Sequence, residues 1–212
     1  MSSEYWDTRY AESHHVWSGR VNDVLGREAA NLPPGRALDL GAGEGADAIW
    51  LARRGWRVTA ADISRVALDK AAAHAAEEGV ADRIDWQRHD LNETFPEGAY
   101  DLVSAQFLHS PDGLTRDPIL RSAAAAVAPG GVLLIGSHAG WPDWVEHQHH
   151  DVEFPSPEEI LDRLELADGE WDVLMCREHD REQRKPDGTI GIRVDSTVMV
   201  RRKALAEAAS GH

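Results

Sequence analysis

A chain of 212 residues is long enough for one α/β domain with a complete core and too short for two. Thirty-seven acidic against 22 basic residues give a formal charge of -15, so the surface repels nucleic-acid backbones and anionic membranes. Cys176 is the single cysteine, which excludes an intramolecular disulfide and any paired-cysteine redox or zinc motif; its apolar neighbours Val173, Leu174 and Met175 make it a small buried hydrophobe.

In chain order, residues 4–12 and 21–30 read as two helices, and Leu32-Pro33-Pro34-Gly35 breaks the second. Residues 36–40 form an apolar strand. Ile49, Trp50, Ala52 and Arg53 then fall at helical spacing, so the glycines between these two elements sit at a strand-to-helix turn. A second strand covers 58–62, and an alanine-rich helix over 64–78 stops at Gly79. Strands at 84–88, 100–107 and 131–137, with a helix over 114–127, complete an alternation that predicts a parallel sheet wrapped on both faces. After Pro155 the pattern changes to a short helix at 157–165, a strand at 171–179, a Lys185-Pro186-Asp187-Gly188 turn and a returning strand at 190–201. The resulting division is an N-terminal helical cap (1–34), a core (35–203) and a tail (204–212). The polar start Met1-Ser2-Ser3-Glu4 has no apolar signal core and no apolar run reaches the length of a membrane span, so the expected location is the cytoplasm.

The turn itself, Asp39-Leu40-Gly41-Ala42-Gly43-Glu44-Gly45, has the character of a nucleotide-cofactor loop, because absent side chains let a ligand approach the backbone. Asp62 closes the next strand at about the distance where a carboxylate grips a ribose diol. The string also satisfies the dinucleotide pattern G-x-G-x-x-A, which keeps an NAD(P)-dependent oxidoreductase open as an alternative. Charge separates the two. A pyrophosphate at a helix N-terminus is opposed by carboxylates, whereas Asp39 and Glu44 suit a phosphate-free cofactor with a cationic ammonium and sulfonium, namely S-adenosyl-L-methionine.

With these motifs in order, the chain resembles the class I S-adenosylmethionine-dependent methyltransferases. Within them it is similar to the group containing the tellurite-resistance and thiopurine enzymes. The resemblance rests on the loop at 39–45, Asp62, His89-Asp90-Leu91, Tyr100-Asp101-Leu102-Val103-Ser104 and Ala128-Pro129-Gly130-Gly131, and on Tyr5-Trp6-Asp7-Thr8-Arg9-Tyr10 with Trp17-Ser18-Gly19 near the N-terminus. It implies an α/β fold: a Rossmann-like three-layer sandwich with a mostly parallel seven-stranded sheet and an antiparallel C-terminal hairpin. A small-molecule acceptor with a sulfur, oxygen, nitrogen or chalcogen nucleophile is implied, with S-adenosyl-L-homocysteine as product. Ser104-Ala105-Gln106-Phe107 stands where amino-methylating DNA enzymes carry an N/D-P-P-Y type sequence, so neither nucleic acid nor membrane is an expected partner. A non-catalytic, cofactor-binding regulatory protein is the remaining alternative, and the oligomeric state is not readable.

Ligands of open α/β sheets bind beyond the carboxyl ends of the strands, which assigns the expected roles. Gly41 and Gly43 give close backbone approach, Asp39 sits near the methionine end and Asp62 takes the ribose hydroxyls. By resemblance Asp90 accepts from the adenine amino group, with Leu91 and Ile63 along the ring; a turn-capping carboxylate is the other reading of Asp90. Gln106 lies near the reacting methyl. Arg9 or Arg20 would meet the methionine carboxylate, and Trp6, Tyr10 and Trp17 either close over the sulfonium or dock the N-terminal helices. His109 and His138, after the fourth and fifth strands, are candidate catalytic bases or polar pocket liners. Residues 139–155 form the expected substrate lid, with Trp141 and Trp144 as an aromatic wall. The cluster His147-Gln148-His149-His150-Asp151 lacks the spacing that aims imidazoles at one ion, so no metal is expected.

Overall fold

The structure is a computed structural model describing residues 3–12, 19–109, 114–145 and 154–204. Trp17, the His147 to Asp151 cluster and residues 205–212 lie outside the described residues. Seven strands form one sheet: β1 (Arg36–Leu40), β2 (Arg57–Asp62), β3 (Ile84–Arg88), β4 (Tyr100–Gln106), β5 (Val127–His138), β6 (Trp171–Arg184) and β7 (Ile190–Arg202). Their spatial order is β3-β2-β1-β4-β5-β7-β6, with β1 to β5 parallel and β7 antiparallel to both β5 and β6. The order reverses between β1 and β4, so ligand space opens where both strands end. The helices are α1 (Ser3–Ala11), α2 (Asp23–Glu28), α3 (Ala46–Arg53), α4 (Arg65–Glu77), α5 (Arg116–Ala125) and α6 (Pro157–Arg163).

Alternation along the strands builds the two faces. On β4 and β5, Val103, Leu133 and Ile135 join Ile119 and Leu120 of α5 and Ile160 of α6 in one buried layer. The intervening Leu102, Val132 and Leu134 meet Leu25 of α2 and Leu51 of α3 on the other. Each such fully buried aliphatic side chain contributes about 1.5–3 kcal/mol, and the two layers together make the sheet the middle of a sandwich. Local signals agree with the helix ends: Ser64 caps α4 by accepting from Ala67 N–H, and Ser156 and Glu159 form a reciprocal capping box on α6.

Several boundaries differ from the sequence reading, three of them with a physical cause in the fold. α2 starts at Asp23, because Asn22 is extended and its backbone N–H and Nδ2 donate to Asp47 at 2.7 and 2.8 Å. β5 begins at Val127, which pairs with Tyr100 before the register jumps to Leu102 opposite Val132. The Pro129-Gly130-Gly131 segment bulges between them; a Cβ on Gly131 would come within 2.8 Å of the Tyr100 carbonyl. β6 continues past His179 to Arg184, where its residues line a cavity; a charged strand is stable when paired along its whole length with β7.

Candidate active site

The chain leaves β1 at Leu40 and turns into α3 through Gly41, Gly43 and Gly45, with φ of 74°, 53° and 85°. Left-handed backbone favours glycine, and space demands it too: a Cβ on Gly41 would lie 2.8 Å from Leu108 Cδ1, and one on Gly45 2.7 Å from the Trp86 ring. The loop turns its N–H groups inward. Gly41 and Ala42 donate to the Ala61 carbonyl at 2.8 and 3.0 Å, Gly45 to the Ala42 carbonyl at 2.9 Å, and Gly43 to Asp62 Oδ2 at 2.9 Å. Pyrophosphate recognition needs such amides aimed at the ligand. Here four of them are already bonded within the fold.

What the loop presents instead is acid. Asp39 is 2% exposed, and its Oδ2 is buried without a partner among the described residues. Burial first, then the charges of Asp47 and Asp62, holds its carboxyl well above the usual range. Burial also raises Asp47, against the hydrogen bonds from Asn22, and raises Asp62, against those from Ser64 and Gly43. Glu44, read from sequence as a second carboxylate for the ligand, is buried 3.4 Å from Lys70 Nζ. That ion pair absorbs much of its charge, so Asp39, Asp47 and Asp62 carry the acidity of this end.

A cavity of about 1380 Å³ runs from this loop to the β6–β7 hairpin. Arg9, Arg20, Trp6 and Tyr10 are among its lining residues. α1 is held there by Asp7, which accepts from Ser64 Oγ at 2.6 Å and Val66 N–H at 3.2 Å. Tyr10 is buried and Trp6 half-buried, so α1 both packs and lines the cavity. Ile63 and Leu91 are buried liners. Asp90 lies between the liners His89 and Leu91 and accepts the Asn92 N–H in a turn, the arrangement of a capping carboxylate. Gln106 lines the cavity while its Nε2 donates to Ser104 Oγ and the Leu134 carbonyl, leaving Oε1 buried and unpartnered. Trp141 lines the cavity edge to face with Phe154, whereas Trp144 covers Gly191 and lies 5.8 Å from Lys185 Nζ, against the hairpin.

At the opposite end His138 closes β5. Its Nδ1 is 2.8 Å from Oδ1 of Asp195, which faces it across the β5–β7 ladder and is fully buried. Burial alone would raise the Asp195 carboxyl, but hydrogen bonds from His138 and Arg181 overcome it and hold the group below its ordinary value. An ionised Asp195 accepts, so His138 carries its proton on Nδ1 and keeps the Nε2 lone pair. Burial pulls the His138 pKa down more than Asp195 raises it, which leaves the ring neutral near pH 7. Phe107 (φ 50°) and His109 flank it, with centroids at 4.5 and 5.6 Å. His109 is lowered to about 4, first by burial and then by Arg116 and His138.

Sequence reasoning named Asp39, His109 and His138 but missed Asp195, Arg181, Arg193, Arg116 and Lys70. One signal was readable: Arg193-Val194-Asp195-Ser196-Thr197 places charge in a strand that must lie inside the sheet.

The sheet order, the glycine loop and the acidic cofactor end together define a class I S-adenosylmethionine-dependent methyltransferase fold. Residues 37–131 match the family described as "Methyltransferase domain". Among curated relatives, the ubiquinone biosynthesis O-methyltransferase of Vibrio parahaemolyticus is 33% identical over 62% of this chain and 56% of its own length. The methyltransferase GfsG of Streptomyces halstedii is 35% identical over 47% of this chain and 36% of its own. The chain thus spans about half the length of these curated relatives. Among solved structures, TehB from Haemophilus influenzae aligns with a TM-score of 0.68 at 18% identity, over 93% of this chain and 67% of that one. A DhpI–S-adenosylhomocysteine complex aligns with a TM-score of 0.59 at 22% identity, over 95% of both chains. At these identities the structural likeness establishes the fold.

Proposed function

We propose that the protein transfers a methyl group from S-adenosylmethionine to a small-molecule acceptor bound at the His138 end of the cavity. The observation that carries this reading is the unpartnered, buried Oδ2 of Asp39 beside glycine-loop amides that are already bonded within the fold. Such a site attracts a cation and offers a diphosphate little. S-adenosylmethionine supplies, when bound, a sulfonium methyl carbon that accepts the acceptor's lone pair while the carbon–sulfur bond leaves its electrons on sulfur. Asp39 and Asp62 hold the cationic nucleoside, Ile63 and Leu91 cover its apolar surface, and Arg9 or Arg20 meets its carboxylate. His138 Nε2 takes the proton released by an oxygen or nitrogen acceptor. Asp195 is a positioning residue: it fixes the productive tautomer and stabilises the imidazolium that forms. Trp141 and Phe154 wall the acceptor from water. The O-methyltransferase activity of the sequence relatives favours oxygen as the nucleophile.

The test is release of S-adenosylhomocysteine from protein incubated with the methyl donor and a panel of phenols, carboxylic acids, amines and thiols. Turnover on an oxygen acceptor that falls by about 10²–10⁴ in His138→Ala supports the proposal. Cofactor binding with no turnover on any class would point to a non-catalytic role.

A further inference from the structure

β6 and β7 pair so that Arg181 stands directly opposite Arg193, and His179 opposite Asp195. Residues opposed across an antiparallel ladder share a face, and like charges so placed destabilise the sheet. A third guanidinium, Arg116, arrives from the first turn of α5 and donates to Ser137 Oγ. All three line the same cavity. They converge on the histidines: the charges of Arg116 and Arg193 both act on His109, and those of Arg193 and Arg181 on His138.

Countercharge is short. Asp195 is the only buried carboxylate of this end among the described residues, and its two oxygens are engaged by His138 and Arg181. Asp180 and Glu182 also line the cavity but are exposed. Arg116 Nε and Arg193 Nε are each buried without an acceptor among the described residues. Burying charged donors unpaired opposes folding, and the fold keeps two such groups in residues that line one space. At the glycine loop the situation is inverted, with buried carboxylates and an unpartnered oxygen.

We propose that the methyl acceptor is anionic, carrying a carboxylate or a phosphorus oxyacid group that Arg116 and Arg193 bind beside His138. Guanidinium forks match such oxyanions with two parallel hydrogen bonds. The acceptor's charge offsets the guanidiniums of both residues and relieves the repulsion between Arg181 and Arg193. This inference rests on the methyl-transfer reading, since that reading places the acceptor at this end.

The experiment first titrates the protein with S-adenosylhomocysteine, then titrates the saturated complex with two matched pairs: benzoate against methyl benzoate, and phenylphosphonate against its dimethyl ester. At least one anion is expected to bind tenfold or more tightly than its neutral partner, with affinity falling as salt is raised. Arg193→Gln and Arg116→Gln should each weaken that anion about tenfold while leaving the S-adenosylhomocysteine affinity within about threefold. Equal binding of anion and ester, or anion binding unchanged in both variants, overturns the proposal, and the wild-type comparison decides even if a variant fails to fold. Absence of S-adenosylhomocysteine binding would instead refute methyl transfer, and this inference with it.

Discussion

The two ends of one cavity solve opposite electrostatic problems. At the glycine loop, three buried carboxylates with raised pKa values and an unpartnered Asp39 oxygen await a cation. At the hairpin end, three guanidiniums line the cavity beside one buried carboxylate among the described residues, which Arg181 engages. The first end is made by local sequence: a strand, three left-handed glycines and the acids that flank them. The second exists only when β5, β6, β7 and α5 are assembled. On the proposed reading, a bipolar cavity of this kind would orient two reactants by charge, with the neutral His138 imidazole at the acceptor end. The contrast teaches that opposite charge at the two ends is encoded at different ranges of the chain: nearby in sequence at the glycine loop, by strand register at the hairpin.

The contrast breaks most severely at Asp62, whose carboxylate holds both the Gly43 and Ser64 N–H groups. Asp62→Ala leaves two buried donors unsatisfied at about 1–3 kcal/mol each, and S-adenosylmethionine affinity should fall more than 100-fold (about 2.7 kcal/mol) by calorimetry. At the other end, Asp195→Asn should lower kcat by about 10–10³-fold with cofactor affinity retained, because the wrong His138 tautomer is favoured. In the wild type, kcat should fall as pH drops below about 6.5 toward the depressed His138 pKa, where Nε2 protonates; in Asp195→Asn that limb should move.

A smaller effect concerns protons at the loop. A cation lowers carboxyl pKa values that burial had raised, so binding expels protons and affinity must rise with pH. Calorimetry of S-adenosylmethionine at pH 5 and 7, in buffers of different ionisation enthalpy, should show proton release and tighter binding at pH 7. Gly45→Ala should destabilise the fold by about 1–3 kcal/mol, read as a lower denaturant midpoint, since it forces a Cβ against Trp86 at a φ of 85°. The smallest change is expected at the exposed Arg65–Asp69 pair. Asp69→Ala should alter unfolding free energy by no more than about 0.5 kcal/mol.

How much of this was legible follows the same division. The alternation of strands and helices, the turn at Gly41 to Gly45 and the hairpin around Pro186-Asp187 are local patterns, and each appears where its residues place it. His138 was identifiable by its position after a strand. Its partner was not, because Asp195 lies 57 residues away and only the antiparallel β5–β7 register opposes the two. Lys70 was hidden for a similar reason: nothing in an amphipathic helix says which loop its ammonium will meet. β6 was cut short at His179 because a charged run reads as solvated, whereas residues 179–184 line the cavity and every second one is half-buried.

The central claim is that the glycine loop selects a phosphate-free, cationic nucleoside by burying carboxylates and turning its amides inward. Calorimetric titration of the wild-type protein and Asp39→Asn with S-adenosylmethionine and NADH tests it most directly. The account predicts saturable binding of S-adenosylmethionine that weakens at least tenfold in Asp39→Asn, with no binding of NADH to the wild-type protein. Saturable NADH binding without a response to S-adenosylmethionine would contradict it.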